Sequence, residues 1–141
     1  MRFMILRKSD NLTESGLMPP TEMIAAMGKY KATMQSAGVY VGGDGLLSSS
    51  RGARVHYRDG QISVTDGPFS ETKEMIAGFV VVDVASLEEA VKWAAMCPSL
   101  CGCSEATIEI RQVAQASDFP PGQEELIRQM PWDTVSSQSR N

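Results

Sequence analysis

The run Ile76-Ala77-Gly78-Phe79-Val80-Val81-Val82-Asp83-Val84, followed closely by Ser86-Leu87-Glu88-Glu89, sets the fold class. It is the longest β-branched stretch of the chain. Its apolar residues occupy both faces of the strand they would form, which is the pattern of a central strand. Ser86 and Glu89 form a capping box, in which the hydroxyl takes the third helical N–H and the carboxylate reaches back. The helix opened there carries Leu87, Ala90, Val91 and Ala94 on one face, with Trp93 roughly opposite, and ends before Pro98. A last strand follows from Ala106 to Val113.

The first half of the chain repeats this order. Arg2 to Arg7 reads as a strand with Phe3 and Ile5 on one face and Met4 and Leu6 on the other, all four apolar, hence also central. A loop runs to Pro19-Pro20. Thr21 is placed to cap a helix, with Glu22 in its first turn against the positive end of the helix dipole. Met23, Ile24, Met27, Tyr30, Met34 and Ala37 recur at helical spacing as one apolar stripe, and Gly38 stops the helix. Val39-Tyr40-Val41 begins a second strand that Gly42-Gly43-Asp44-Gly45 is expected to interrupt.

Asp59-Gly60 is a two-residue turn of the primed type. It joins Ala53–Arg58 to Gln61–Thr65 and pairs Tyr57 with Ile62 and Val55 with Val64 on one face. His56 with Ser63 and Arg54 with Thr65 fall on the other. Setting this inserted hairpin aside, the order is strand, helix, strand, strand, helix, strand. That predicts an α+β fold of ferredoxin-like type, an antiparallel sheet with two helices on one face. The open face of such a sheet needs a cover, which a second copy or the C-terminal tail would supply.

The chain has 141 residues, enough for one domain with its own core. Hydrophobic residues are 43% and charged residues 21%, as in ordinary globular proteins. Residues 1–113 carry the α+β pattern. Residues 114–141 read as a partly ordered tail, with a short helical stretch over Glu124–Met130 stopped at Pro131 and a frayed end over 136–141. The net charge of −4 lacks a basic footprint, so nucleic acid is not an expected partner. No apolar run reaches the roughly 18 residues that span a membrane, and the N-terminal apolar stretch is too short for a signal peptide. The three cysteines, Cys97, Cys101 and Cys103, are odd in number and clustered, which favours a reducing cytoplasm over a secreted disulfide framework. Their C-x3-C-x-C spacing is not that of a zinc knuckle, and neither a metal nor a cofactor is implied.

The densest polar cluster is Asp66-Gly67-Pro68-Phe69-Ser70-Glu71-Thr72-Lys73-Glu74, with Gly78-Phe79 beyond it. Gly67 permits unusual backbone geometry and Pro68 fixes the next φ, so this loop can hold a carboxylate in place. Carboxylates in different environments are how one site obtains an acid and a base. Asp66 is the candidate general base or ligand anchor and Lys73 its counter-charge. Gly67, Pro68, Phe69, Glu71 and Glu74, with Asp44 as a neighbour, are candidate ligand contacts. Asp-Gly-Pro is equally ordinary turn chemistry. His56, the one histidine, is a weaker acid–base candidate, since it sits between Arg54 and Arg58 on the polar face of the hairpin.

This motif resembles the signature of the DGPF proteins, a branch of the YCII-related family. Met4-Ile5-Leu6, the stretch Ala37 to Leu46, Ser86 through Ala95 and Ile108-Glu109-Ile110-Arg111 are similar to other parts of that branch, so the resemblance covers residues 1 to about 113. It implies a ferredoxin-like fold that dimerises sheet to sheet, of the dimeric α+β barrel type, in which some members resemble small enzymes. It also implies a genetic setting beside alternative sigma factors, and hence an accessory or regulatory role as the alternative to a small-molecule-binding protein or enzyme. The YCII branch has a proposed His–Asp pair with the histidine on the first helix. Here that helix has no histidine, and Met27 lies near the corresponding place.

Overall fold

The structure, a computed structural model, describes residues 1–98 and 105–130. Cys101, Cys103 and the 136–141 end lie outside the described residues. Among the described residues, six strands and four helices follow one another as β1 (Arg2–Lys8), α1 (Asn11–Glu14), α2 (Thr21–Ser36), β2 (Tyr40–Gly45), β3 (Ala53–Arg58), β4 (Gln61–Asp66), β5 (Ile76–Asp83), α3 (Leu87–Ala95), β6 (Ile108–Gln112) and α4 (Glu124–Arg128). Short 3-10 turns stand at Ser49–Arg51, Thr72–Glu74 and Ala116–Asp118.

Four strands make one antiparallel sheet in the order β2-β5-β1-β6. Both strands expected to be central are central. The order is consistent with the ferredoxin-like split βαβ pattern. Directly opposed residues share a face: Phe3 lies opposite Val82 and Gln112, and Ile5 opposite Val80 and Ile110. These residues meet Tyr30 and Met34 of α2 and Ala90 and Ala94 of α3, so both helices cover one face of the sheet. Met34 and Val82 are fully buried, and each such side chain contributes about 1.5–3 kcal/mol by leaving water. Met4 opposite Val81, and Leu6 opposite Phe79, fall on the other face.

Four local expectations are corrected. The N-cap of α2 is Pro20, whose carbonyl accepts from Met23 and Ile24, and Thr21 is the first helical residue. The same carbonyl takes these two N–H groups, and no side chain caps this end of the helix. Ile24 of the expected stripe is 58% exposed and Ala37 is exposed at the C-cap; Met23, Tyr30 and Met34 are the buried residues, with Met27 packed beside them. In α3 the buried face runs through Ala90, Trp93, Ala94 and Cys97, and Leu87 and Val91 stand about half exposed. A helix of nine residues turns its bulkiest side chain inward, and the indole packs against the core beside the two alanines. Lastly, Gly42-Gly43 do not interrupt β2. The pairing shifts register between Tyr40 and Gly42 and continues through Gly45. Glycine is needed there because a Cβ at Gly43 would lie 2.5 Å from the Phe79 carbonyl oxygen.

Other expectations hold in detail. Gly38, at φ 73°, ends α2 in a Schellman motif, with Val39 N–H donating to the Met34 carbonyl and Gly38 N–H to that of Gln35. Glu89 N–H donates to the Ser86 hydroxyl as expected, while the Glu89 carboxylate accepts from Ala85 N–H, one residue before the cap, and not from Ser86 N–H. The hairpin has the expected register around Asp59 and Gly60, both at positive φ, and forms a separate two-stranded sheet. Val55, Tyr57, Ile62 and Val64 share a face that the described residues leave exposed. No described helix is long and apolar enough to cross a membrane.

Candidate functional site

The motif loop leaves the hairpin at Asp66, which pairs with Ala53 and is exposed. The Gly67–Pro68 peptide is cis. Gly67 N–H donates to the Gly52 carbonyl at 2.9 Å, and Phe69 N–H donates to the Ser49 hydroxyl at 3.0 Å. Gly67 packs so closely on Ser49 that a Cβ would fall 2.6 Å from the Ser49 carbonyl carbon. Ser49 is also held from the other side. Its N–H donates to both oxygens of Glu14, at 3.1 and 3.2 Å, and its hydroxyl donates to the same carboxylate. Helix α1 presents that carboxylate because Asp10 caps it, accepting from Thr13 N–H at 2.7 Å. Ser49 therefore ties the motif loop to α1.

On the exposed side the Arg54 guanidinium lies 3.9 Å from the centre of the Phe69 ring and reaches Glu71 at 3.4 Å. The stack fixes the aromatic anchor of the loop to the hairpin. The Glu71 carboxyl is held below the usual carboxylate range by its own backbone N–H, then by the Ser70 hydroxyl and Arg54. Lys73 and Glu74, in the turn that follows, are exposed and make no ion pair with a described residue.

The turn gripped at Ser49 forms one wall of a cleft of about 580 Å³, a size in the range of small-ligand sites. Ser48, Ser50 and Arg51 line it from the turn, Leu46 and Leu47 from the end of β2, Arg7 from the end of β1, and Leu12 and the segment from Gly16 to Pro20 from the other side. The Ser48 and Ser50 hydroxyls are 2.6 Å apart. No acidic side chain is among the lining residues. Several apolar ones stay open to solvent, Leu17 by 66% and Leu47 by 61%.

The structure brings Gly67, Pro68, Phe69 and Glu71 together in a loop that braces this turn, and leaves Asp66 at its exposed start. Asp44 stands opposite Phe79 on β2 and His56 opposite Ser63 on the hairpin, both exposed and neither bonded to the motif among the described residues. None of these lines the cleft. Sequence reading passed over Arg7, Arg51 and Glu14. A signal was present in Leu17-Met18-Pro19-Pro20 and Leu46-Leu47, apolar clusters in loops where solvated residues are the rule. Cys97, just past the end of α3, is half-buried. Burial raises its thiol pKa, with Arg7 pulling the other way. No cluster of three or more metal-ligating side chains exists among the described residues.

Residues 1–117 match the family model of the YCII-related domain. The chain belongs to the YCII-related family. An uncharacterized protein of Rhizobium meliloti (strain 1021) is 43% identical to it over 49 residues, which are 35% of this chain and 40% of that protein. The matched region of the YCII-related domain contains both Arg residues of the cleft and the whole motif loop.

Proposed function

We propose that this YCII-related protein binds a small molecule in the cleft beside the motif loop, the loop acting as the brace of one cleft wall. One observation carries the reading: Ser49 is gripped by Glu14 and by the motif loop, while its neighbours on either side line the cleft. Backbone clamped from two sides is what a preorganised binding wall requires. Gly67, Phe69 and Glu71 of the motif are then explained by what they hold in place. An enzymatic version of the reading assigns Asp66 as base or ligand anchor, with Lys73 as its counter-charge. The Asp66–Glu74 motif also supports membership of the DGPF branch. The open sheet face with Met4, Leu6, Phe79 and Val81 supports a homodimer of the dimeric α+β barrel type, and the cysteine pattern supports a cytoplasmic location.

A thermal-shift screen of metabolites against wild type, Leu47→Glu and Asp66→Asn tests this. A ligand at about 100 times its Kd adds about 2.7 kcal/mol, which at this size is roughly 5–10 °C in Tm. Hits lost in Leu47→Glu and kept in Asp66→Asn are expected. Hits lost in Asp66→Asn and kept in Leu47→Glu would move the site to the motif carboxylate. The alternative, an accessory module acting near a sigma factor, is favoured by the exposed apolar hairpin face, with Tyr57 78% exposed. It predicts that Tyr57→Ser abolishes capture of a transcription protein while ligand hits are absent.

A further inference from the structure

The cleft combines two features. Its walls are mostly hydrocarbon, from Leu12, Leu17, Leu46 and Leu47. Its charged groups are two guanidinium ions, Arg7 and Arg51, with no carboxylate among the lining residues. Neither guanidinium makes an ion pair or hydrogen bond with a described residue. The acid adjacent to the turn, Glu14, is committed to Ser49. Arg7 is only partly exposed, opposite Ile108 and Gly78 in the sheet. A guanidinium drawn out of water without a partner is unfavourable, and the cost is relieved by an anion. Guanidinium groups meet carboxylates with two parallel hydrogen bonds.

We infer that the cleft selects an amphipathic monoanion, a carboxylate whose head is met by Arg7 and Arg51 and whose hydrocarbon lies along the leucines. The inference rests on the cleft being the binding site proposed above. Head and tail contribute separately, so the ligand class differs from a bare inorganic anion and from a neutral hydrocarbon. The Ser48 and Ser50 hydroxyls, already paired with each other, supply further donors at the turn.

Isothermal titration of the whole protein with octanoate, octan-1-ol and acetate tests it. Octanoate is expected to bind at least tenfold more tightly than either of the others. Arg51→Met and Arg7→Met should each weaken octanoate fivefold or more and leave octanol unchanged, with Arg51→Lys partly restoring affinity. Arg51 stands exposed on a short turn, so its substitution is not expected to disturb folding. Equal affinity for octanol and octanoate, both lost in Leu47→Glu, would overturn the choice of an anion and leave the cleft as the site. Octanoate binding that survives Leu47→Glu would overturn the site itself. No heat from any of the three at millimolar concentration would overturn the ligand class.

Discussion

Gly67→Ala probes the brace at its tightest point. The added methyl would fall 2.6 Å from the Ser49 carbonyl carbon, 3.3 Å from the Ser50 nitrogen, and closer still to the Ser49 carbonyl oxygen. All three are backbone atoms, so no rotamer change relieves the clash. The loop must lift off the turn, and the bonds from Gly67 to Gly52 and from Phe69 to Ser49 lengthen or break. Overpacking costs about 1–3 kcal/mol and each lost hydrogen bond about 1 kcal/mol. The variant should therefore lose about 3 kcal/mol in urea unfolding at 25 °C, with the midpoint lowered by about 1–2 M at unchanged slope. A thermal scan should show a fall of roughly 6–12 °C. The cleft wall moves with the turn, so affinity for a cleft ligand should drop as well. A loss below about 0.5 kcal/mol, within the range of an inert surface change, would refute the claim that close backbone contact fixes this loop.

Further outcomes follow from the same contacts. Ser49→Ala removes the hydroxyl that donates to Glu14 and accepts from Phe69; it should cost about 1–3 kcal/mol in the same assay, since two partners are left without it. Gly28 lies inside α2 with open space where a Cβ would stand, so Gly28→Ala should stabilise by about 0.5–1 kcal/mol through helix propensity alone. Tyr30 donates its hydroxyl to the Trp93 carbonyl at 2.9 Å, and burial, with a smaller contribution from Cys97, raises its pKa to about 12. The unfolded phenol ionises near 10, so the unfolded state holds fewer protons than the native state above that pH. Stability is then full below pH 10 and falls as pH rises to about 12. Tyr30→Phe should remove this alkaline loss, as read from unfolding curves between pH 9 and 12.

The parts of the fold legible in sequence are those fixed by neighbours in the chain. Asp59-Gly60 sets the hairpin register through its own φ angles. Ser86 and Glu89 set the start of α3, and Gly38 the end of α2, by satisfying helix-end groups a few residues away. Trp93 was misplaced because the sheet, and not helix periodicity, decides which side of a short helix is covered. Gly42-Gly43 looked like a break because composition cannot show that Phe79 of β5 approaches too closely for a side chain. The motif loop was visible as a dense polar cluster, but its load falls on Ser49. The decisive partner, Glu14, lies 35 residues from Ser49 and carries no local signature. Arg7 and Arg51 line the same cleft only through the pairing of β1 in the sheet and the turn after β2.

The central claim is tested most directly by mapping where a ligand sits, with amide chemical shifts of the folded protein followed during a titration with octanoate. The account predicts saturable shifts at Leu12, Gly16 and Leu17 and from Leu46 to Arg51, with the hairpin residues His56 to Thr65 unmoved. Shifts confined to the hairpin or to Asp66, or spread across the molecule without saturating, would contradict it.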